Sequence, residues 1–287
     1  MSATIMDGKA LATTIKATLR NLIPASGIKP PTLSVIRVGS DPASAIYVRN
    51  KMKDCAECGI VCHDVHLPAT ISELELMGQI SQASFASDGV IIQLPLPGHL
   101  NERRILNCLD PHQDVDGFTK MNIGKLWSDD MDFDTAPCTP YGIIRLLQEY
   151  NIDISGKYAV IIGRSDIVGK PMAALLLQRN ATVTICHSKT QNLADICRQA
   201  DILVSAAGKQ NLVTADMVKD GAVVIDVGMN RDENGKLCGD VDFDAVVEKA
   251  SFITPVPGGV GPMTRAMLLQ NVYMAWERNQ WSRRNLA

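Results

Sequence analysis

The sequence has few aromatic residues and no excess of positive charge. Aromatic side chains make up 5% of its 287 residues, and its formal net charge is −3. A protein whose main partner is nucleic acid typically carries a basic face and aromatic side chains that stack on bases. The composition therefore argues against nucleic acid as a partner.

Long apolar runs are also missing. The sequence contains no stretch of about 18 apolar residues, the length that a membrane-spanning helix needs. Its first residues do not combine a basic segment with an apolar one, as a targeting signal would. We therefore expect a cytoplasmic protein with no membrane partner.

The eight cysteines do not form a metal-binding pattern. Cys55, Cys58 and Cys62 are closely spaced, but no second close pair completes a site. Cys55 and Cys58 are predicted on a helix and Cys62 on the strand that follows, which would point their sulfurs apart. The sequence thus predicts reduced thiols and no bound metal.

Strand and helix patterns alternate along the chain and predict two α/β domains. In the first part, a helix over 42–58 is predicted to begin at Asp41 and end at Gly59, and a capping box at Ser72-x-x-Glu75 begins another helix. Strands are predicted over 32–39, 60–67 and 89–94, and then over 157–162, 181–186, 202–205, 222–227 and 252–254. The later series predicts a parallel sheet with crossover helices.

The acidic stretch over 129–134 interrupts this alternation and marks the predicted domain boundary. We expect one domain at 1–137 and a second at 138–264. The C-terminal helix, 265–287, is expected to pack back on the first domain.

Residues 158–177 read as a strand, a glycine turn and the start of a helix. Gly163 ends the apolar strand, Gly169 follows six positions later, and Lys170-Pro171 opens the helical pattern. Backbone N–H groups at such a helix start can hold the phosphates of a dinucleotide. The Gly-x5-Gly spacing differs from the usual Gly-x-Gly-x-x-Gly, so the strand and helix around it are needed to support this interpretation.

The strand after this turn indicates which dinucleotide is bound. NAD sites usually place an acidic residue after the second strand, where it binds the ribose 2′-hydroxyl. Here residues 187–190 contain no acid, and Ser188, Lys189 and Arg164 would suit a 2′-phosphate instead. The sequence predicts NADP as the cofactor.

Tyr47 and Lys51 are candidates for proton chemistry or substrate orientation. They are four residues apart on the predicted 42–58 helix, so both project from one face. Short-chain dehydrogenases use the same Tyr-x3-Lys spacing, but there the pair follows the nucleotide-binding glycines, whereas Tyr47 precedes Gly163. The pair is therefore assigned to a separate substrate domain.

Two other polar positions are predicted at the ends of strands or in loops. Gln93 follows a fully apolar strand, at the edge where open parallel sheets bind ligands. Asp114 and Asp116 lie in a loop that lacks the third oxygen ligand and the later glutamate of a calcium-binding loop. Either these carboxylates stabilise a turn or one of them binds a ligand, and the sequence leaves both alternatives open.

Six motifs occur together in one order. They are Asp41-Pro-Ala-Ser-Ala-Ile-Tyr-Val-Arg-Asn-Lys51, Gly89-Val-Ile-Ile-Gln-Leu-Pro-Leu-Pro97, Asp114-Val-Asp-Gly117, Pro137-Cys-Thr-Pro140, Gly163-Arg-Ser-Asp-Ile-Val-Gly-Lys-Pro171 and Pro255-Val-Pro-Gly-Gly-Val-Gly-Pro-Met-Thr264. With these motifs the chain closely resembles the bifunctional methylenetetrahydrofolate dehydrogenase/cyclohydrolase family, called FolD in bacteria. The resemblance implies two α/β domains, the second a Rossmann-like doubly wound parallel sheet, with a cleft between them.

The resemblance also implies an activity. A member of the family oxidises 5,10-methylenetetrahydrofolate with NADP⁺ to 5,10-methenyltetrahydrofolate and hydrolyses this product to 10-formyltetrahydrofolate. Lys51 would move the protons of the hydrolysis, and Gln93 would hold Lys51 and tune its charge. Tyr47 would pack against the folate, and Asp116 would bind the pterin. Family members are usually homodimers.

The resemblance assigns the remaining site residues to two groups. A glycine-rich segment at 255–264 would form one wall of the folate site, where backbone lies close to the substrate. NADP would bind at the turn after the first nucleotide-binding strand and at two later positions. The wall residues are Pro257, Gly258, Gly259 and Pro262, and the cofactor residues are Gly163, Arg164, Ser165, Ser188 and Met229.

A different class of function is a non-catalytic NADP-binding module, such as a redox-sensing regulator. It would account for the nucleotide-binding motif but leaves Tyr47, Lys51, Gln93 and Asp116 without a purpose. An absorbance assay with methylenetetrahydrofolate and NADP⁺ would distinguish the two.

Overall fold

The computed structural model describes residues 2–128 and 135–285. The acidic stretch at 129–134, where the domain boundary was predicted, and residues 286–287 of the predicted last helix lie outside the described residues. The described chain forms two compact units. One comprises residues 2–13 and Pro137–Thr264, and the other comprises residues 14–128, 135–136 and 265–285.

Helices and strands alternate over most of the described chain. The helices are α1 (Gly8–Ala25), α2 (Pro42–Cys58), α3 (Glu73–Ala86), α4 (Glu102–Leu106), α5 (Lys120–Trp127), α6 (Cys138–Glu149), α7 (Gly169–Leu177), α8 (Leu193–Cys197), α9 (Phe243–Val246) and α10 (Val260–Asn285). The strands are β1 (Thr4–Ile5), β2 (Thr32–Val38), β3 (Val61–Leu67), β4 (Gly89–Ile92), β5 (Tyr158–Ile162), β6 (Thr182–Cys186), β7 (Ile202–Ser205), β8 (Val223–Asp226), β9 (Asn230–Arg231), β10 (Leu237–Cys238) and β11 (Phe252–Ile253). No helix of the described residues is long and apolar enough to cross a membrane.

The unit that contains Pro137–Thr264 is built on a six-stranded sheet. Its strand order is β1-β11-β8-β7-β5-β6, and every pair in it is parallel. The chain moves from β5 to β6 on one side and then returns to place β7 on the other side of β5. This reversal makes the β5/β7 boundary the topological switch point, where open α/β sheets bind ligands. The predicted Rossmann-like parallel sheet is confirmed.

The start of the chain belongs to this unit, whereas the sequence-based division placed it with residues 14–137. β1 pairs with β11, and the N–H groups of Ala3 and Thr4 donate to the carbonyls of Val247 and Ser251 at 2.7 and 2.8 Å. β1 has two residues, which is too short to produce a detectable period in the sequence. Its position is set by pairing with a strand that lies far along the chain.

The other unit is built on a three-stranded parallel sheet of order β3-β2-β4. The predicted helix boundaries are confirmed: Asp41 accepts a hydrogen bond from the Ser44 N–H at 2.7 Å, and Gly59 ends α2 with a φ of 77°. The capping box of Ser72 and Glu75 is also present. These caps fix the direction of α2 against the sheet, which positions the side chains along it.

The second half of α10 also packs on this unit. Asn271, 2% exposed, donates from Nδ2 to the carbonyls of Val115 and Ala136 at 2.9 and 3.1 Å. Trp276 donates from its indole N–H to the carbonyl of Lys29 at 2.9 Å. These bonds satisfy buried polar groups and so hold the helix in one register.

One expectation about the cysteines is wrong. The thiols of Cys55 on α2 and Cys62 on β3 form a hydrogen bond, so their sulfurs do not point apart. The chain reverses at Gly59, and α2 packs against β3, which brings the buried face of the helix onto the strand. The hydrogen bond and burial raise the pKa of Cys55, and the same hydrogen bond lowers the pKa of Cys62. All eight cysteines are free thiols, and the described residues contain no cluster of three or more His, Cys, Asp or Glu that could hold a metal.

Candidate active site

The side chains of Lys51 and Gln93 meet in the three-stranded unit. Lys51 Nζ donates to Gln93 Oε1 at 3.1 Å, and Gln93 Nε2 donates to the carbonyl of Leu94 at 2.8 Å. The backbone N–H of Gln93 continues the β-ladder by donating to Ile36 at 2.8 Å. Because the amide nitrogen is held by Leu94, the amide oxygen is directed at the lysine. The sheet therefore fixes the acceptor that orients the ammonium.

Tyr47 lies one helical turn before Lys51 on α2. It is 44% exposed, while Lys51 is half-buried. Residues four apart on a helix share a face, so Tyr47 and Lys51 project from the same side of α2. Lys51 also lies close enough to the Cys62 thiol to contribute to lowering its pKa, a smaller effect than that of the Cys55 hydrogen bond.

The two aspartates of the loop after α4 have different surroundings. Asp114 is 1% exposed and accepts hydrogen bonds from the backbone of Gly117 and Thr119 at 2.9 and 2.7 Å and from Asn122 Nδ2 at 3.0 Å. Burial raises its pKa, and the hydrogen bonds from Thr119 and Asn122 oppose the shift. Asp114 thus stabilises the turn, which was one of the two alternatives for this loop.

Asp116 is half-buried on the loop that Asp114 shapes. A single parallel bridge joins Asp114 to Val90, so the loop begins beside β4. Gln93 follows the end of β4. Gln93 therefore lies at the carboxyl edge of the small sheet, while Asp116 lies two residues past the bridge, in the turn that Asp114 closes.

The predicted phosphate-binding turn lies between β5 and α7 in the other unit. A Cβ on Gly163 would lie 2.4 Å from the carbonyl oxygen of Ala206, and one on Gly169 would lie 2.2 Å from the carbonyl oxygen of Gly163. Neither position can take a side chain without moving backbone. Ser165 Oγ accepts from the N–H of Val168 at 3.1 Å, which closes the turn before the helix. The backbone is thereby folded tightly enough for a pyrophosphate to approach the start of α7.

Arg164 and Ser188 are both exposed, and Ser188 follows the end of β6. The loop after β6 is closed by its own bonds: His187 N–H donates to Thr190 Oγ1 at 2.8 Å, and Lys189 N–H donates to His187 Nδ1 at 3.1 Å. It presents a hydroxyl and a cation and no carboxylate. These residues fit a 2′-phosphorylated dinucleotide. Gly163, Arg164, Ser165 and Ser188 would hold it, together with Met229, which follows β8 and is 54% exposed.

The glycine-rich segment before α10 lies in the six-stranded unit. Gly258 has a φ of 114°, and its carbonyl accepts from the Lys9 N–H at 2.9 Å. A Cβ on Gly259 would lie 2.7 Å from the Pro255 carbonyl oxygen. Pro257 is exposed, and Pro262 is half-buried. At least one of the predicted wall glycines is therefore required by close backbone packing inside the unit, whatever it does toward a substrate.

Sequence reasoning missed the loop after β7, residues 206–209. It lies directly against Gly163, and its backbone is held by the buried carboxylate of Asp240. The sequence signal was the polar Ser205 at the end of an apolar strand, followed by Gly208. Neither residue predicts that an aspartate about 30 positions later would bind the loop.

Two family models match the chain. The model for the tetrahydrofolate dehydrogenase/cyclohydrolase catalytic domain matches residues 6–116, and that for the NAD(P)-binding domain of the same family matches residues 137–280. The bifunctional protein FolD of Streptococcus thermophilus is 54% identical over 278 residues, which cover 95% of this chain and 97% of that protein.

Solved structures of similar proteins agree with this match. The bifunctional FolD of Campylobacter jejuni superimposes with a TM-score of 0.93 at 48% identity and covers 96% of this chain and 100% of its own. The FolD of Trypanosoma brucei, solved with NADP cofactor and an inhibitor, has a TM-score of 0.93 at 38% identity and covers 97% of this chain and 99% of its own. The chain belongs to the tetrahydrofolate dehydrogenase/cyclohydrolase family.

Proposed function

We propose that this chain oxidises 5,10-methylenetetrahydrofolate with NADP⁺ to 5,10-methenyltetrahydrofolate and hydrolyses this product to 10-formyltetrahydrofolate, with Lys51 moving the protons of the hydrolysis. As a member of its family the chain is an enzyme with dehydrogenase and cyclohydrolase activities, and its cofactor is NADP. The observation that carries the residue assignment is the 3.1 Å hydrogen bond between Lys51 and Gln93.

Hydrolysis requires water to attack an amidinium-like carbon and protons to move. The ammonium of Lys51 has three N–H groups, so the bond to Gln93 leaves capacity for water or substrate. Gln93 acts as a positioning residue, since its own amide nitrogen is fixed on the carbonyl of Leu94. A lysine suits this role because its charge responds readily to burial and to neighbouring groups.

Folate binding is assigned to Tyr47 and Asp116 and to the glycine-rich segment with Pro257, Gly258, Gly259 and Pro262. Tyr47 offers an exposed ring face that can pack on a planar heterocycle. Asp116 offers carboxylate oxygens that accept hydrogen bonds from the N–H groups of a pterin. The buried bonds of Asp114 fix the loop on which Asp116 stands.

The oxidation step needs alignment and the exclusion of water more than it needs acids or bases. When bound, NADP⁺ supplies the hydride acceptor. The chain's own contribution is to hold the dinucleotide on Gly163, Arg164, Ser165, Ser188 and Met229, so that the reacting carbons are held in line. We assign residues 138–264 to this cofactor-binding role and residues up to 137 to the folate-binding role. We also propose that the protein is cytoplasmic and that it is a homodimer. Light scattering of the purified protein would test whether it is a dimer.

An absorbance assay tests the proposal. The protein is mixed with methylenetetrahydrofolate and NADP⁺, and the methenyl product and NADPH are followed with time. Separately, methenyltetrahydrofolate is added without NADP⁺, and its loss is followed. We expect both signals, and the absence of either would contradict the proposal of two activities.

A further inference from the structure

The carboxylate of Asp240 occupies a ring of backbone N–H groups. Asp240 is fully buried, at 0% exposure. Its Oδ2 accepts from Ala207 and Gly208 at 2.7 and 3.1 Å, and its Oδ1 accepts from Lys209 at 2.9 Å. Three successive N–H groups that converge in this way form a concavity of the kind that binds anions. Here the anion is a side chain of the protein, and the loop is folded around it.

Two side chains complete the shell around Asp240. Ser205 Oγ donates to Oδ2 at 3.2 Å, and Asn230 Nδ2 donates to Oδ1 at 2.9 Å. Asn230 also donates to the carbonyl of Gly239 at 3.0 Å. With its oxygens supplied by these donors, the carboxylate can be buried without the usual cost of an unpaired charge.

Asp226, at the end of β8, holds Asp240 in place. Its Oδ1 accepts from the backbone N–H of Asp240 at 2.9 Å and from that of Gly228 at 2.8 Å, and its Oδ2 accepts from the backbone N–H of Val241 at 2.9 Å. The packing is tight, because a Cβ on Gly239 would lie 1.8 Å from Asp226 Oδ2. The position of the Asp240 carboxylate is therefore fixed by its own backbone.

The loop held by Asp240 forms one side of the switch point of the six-stranded sheet. The Ala206 N–H donates to the carbonyl of Ile162 at 2.8 Å, and the Ala206 carbonyl oxygen would lie 2.4 Å from a Cβ on Gly163. The loop 206–209 thus lies against the first glycine of the phosphate-binding turn. The same carboxylate binds Asn230, the residue after Met229.

We propose that Asp240 is a positioning residue for the dehydrogenase reaction, which holds loop 206–209 and the segment of Met229 in the arrangement that NADP⁺ binds. The inference rests on the proposed cofactor site and assigns to it a residue that acts through the loop. A preformed site avoids the cost of ordering a loop when the ligand binds. The hydrolysis of methenyltetrahydrofolate consumes no NADP⁺, so it does not depend on this loop.

The variant Asp240→Asn tests the proposal. The asparagine keeps the size but turns one acceptor into a donor, which then faces the N–H groups of the loop. We expect the KM for NADP⁺ to rise about tenfold or more, while the hydrolysis of methenyltetrahydrofolate without NADP⁺ stays within about twofold of wild type. A merely structural role would lower both activities together. Asp244→Asn, an exposed aspartate on α9, is the matched control and should change neither.

A second variant keeps the test decisive if Asp240→Asn does not fold. Asn230→Ala removes one donor to the carboxylate from a half-buried position, and we expect a rise of a few-fold in the KM for NADP⁺ with unchanged hydrolysis. If folded Asp240→Asn, or Asn230→Ala in its place, binds NADP⁺ as wild type does in isothermal titration, the proposal is overturned. If wild type itself shows no NADP⁺-dependent oxidation, it is the proposed function that fails.

Discussion

Lys51 donates a hydrogen bond of 3.1 Å from Nζ to Oε1 of Gln93, a residue 42 positions further along the chain. The bond joins a helix to the end of a strand, and the strand end is fixed by the sheet. Because the Gln93 amide nitrogen is held by the carbonyl of Leu94, the amide oxygen offers the lysine an acceptor of fixed position.

Lys51→Met should separate the two activities. Methionine keeps the length of the side chain but removes the ammonium, and proton transfer by a positioned group contributes roughly a hundredfold to ten-thousandfold. We expect the cyclohydrolase activity to be lost and the dehydrogenase activity to fall less, so that methenyltetrahydrofolate accumulates in the absorbance assay. Lys53→Met, an exposed position on the same helix, is the control. Hydrolysis by Lys51→Met within a few-fold of wild type would remove Lys51 from the mechanism.

Asp116→Asn should weaken folate binding without destabilising the fold. One acceptor becomes a donor that faces the pterin N–H groups, which costs roughly 1 to 3 kcal/mol of binding free energy. The KM for the folate should rise in both reactions, while the melting temperature stays close to that of wild type. Unchanged Michaelis constants in both assays would contradict the assignment.

Asp114→Asn should show a different pattern. Asp114 is buried and accepts from Gly117, Thr119 and Asn122, so an amide nitrogen at this position would face donors that it cannot accept from. We expect the free energy of unfolding to fall by roughly 1 to 3 kcal/mol, measured by urea denaturation. A variant as stable as wild type would show that these three bonds do not stabilise the turn.

Arg164→Ala should narrow the preference for NADP⁺ over NAD⁺. A charge-assisted hydrogen bond to phosphate is worth roughly 1.5 to 3 kcal/mol, so wild type should prefer NADP⁺ by about tenfold or more in kcat/KM. The variant should lose efficiency with NADP⁺ and keep it with NAD⁺. Arg198→Ala, whose side chain is bound to Asp195 and to the carbonyl of Asp216, serves as control. Equal efficiency of the wild type with both cofactors would refute the assignment of Arg164 and Ser188.

Asp226 should make the stability of the protein depend on pH. Burial raises the pKa of Asp226 to about 6, although it accepts backbone hydrogen bonds. A carboxyl group with a raised pKa in the folded state stabilises the fold below its unfolded pKa, and this stabilisation is lost as the pH rises through 6. Asp226→Asn lacks this titrating group. As the pH rises from 4 to 7, the unfolding free energy of wild type should therefore fall by up to about 3 kcal/mol relative to that of the variant. A difference between the two proteins that is constant with pH would contradict this shift.

The sequence determined the elements whose causes are local. The Asp41 cap, the left-handed Gly59 and the capping box of Ser72 and Glu75 each depend on residues within one helical turn, and each is present in the structure. The apolar runs of β5, β7 and β8 predicted strands because a strand covered on both faces needs apolar residues throughout. The glycine turn before α7 was found from the apolar strand before it, its two glycines and the helix start at Lys170-Pro171. Family motifs then identified Tyr47, Lys51, Gln93 and Asp116, whose roles stay predictions.

Only the tertiary structure decided the contacts between distant segments. β1 joined the six-stranded sheet because β11, about 250 positions later, offered it a parallel partner. Asp240 binds the loop at 206–209 because the path of the chain brings the two segments together. Neither contact leaves a periodic pattern or a capping motif in the sequence, because each depends on how a whole unit packs. The sequence by itself therefore determined the family and the local elements, and the fold decided which side chains support the cofactor loop.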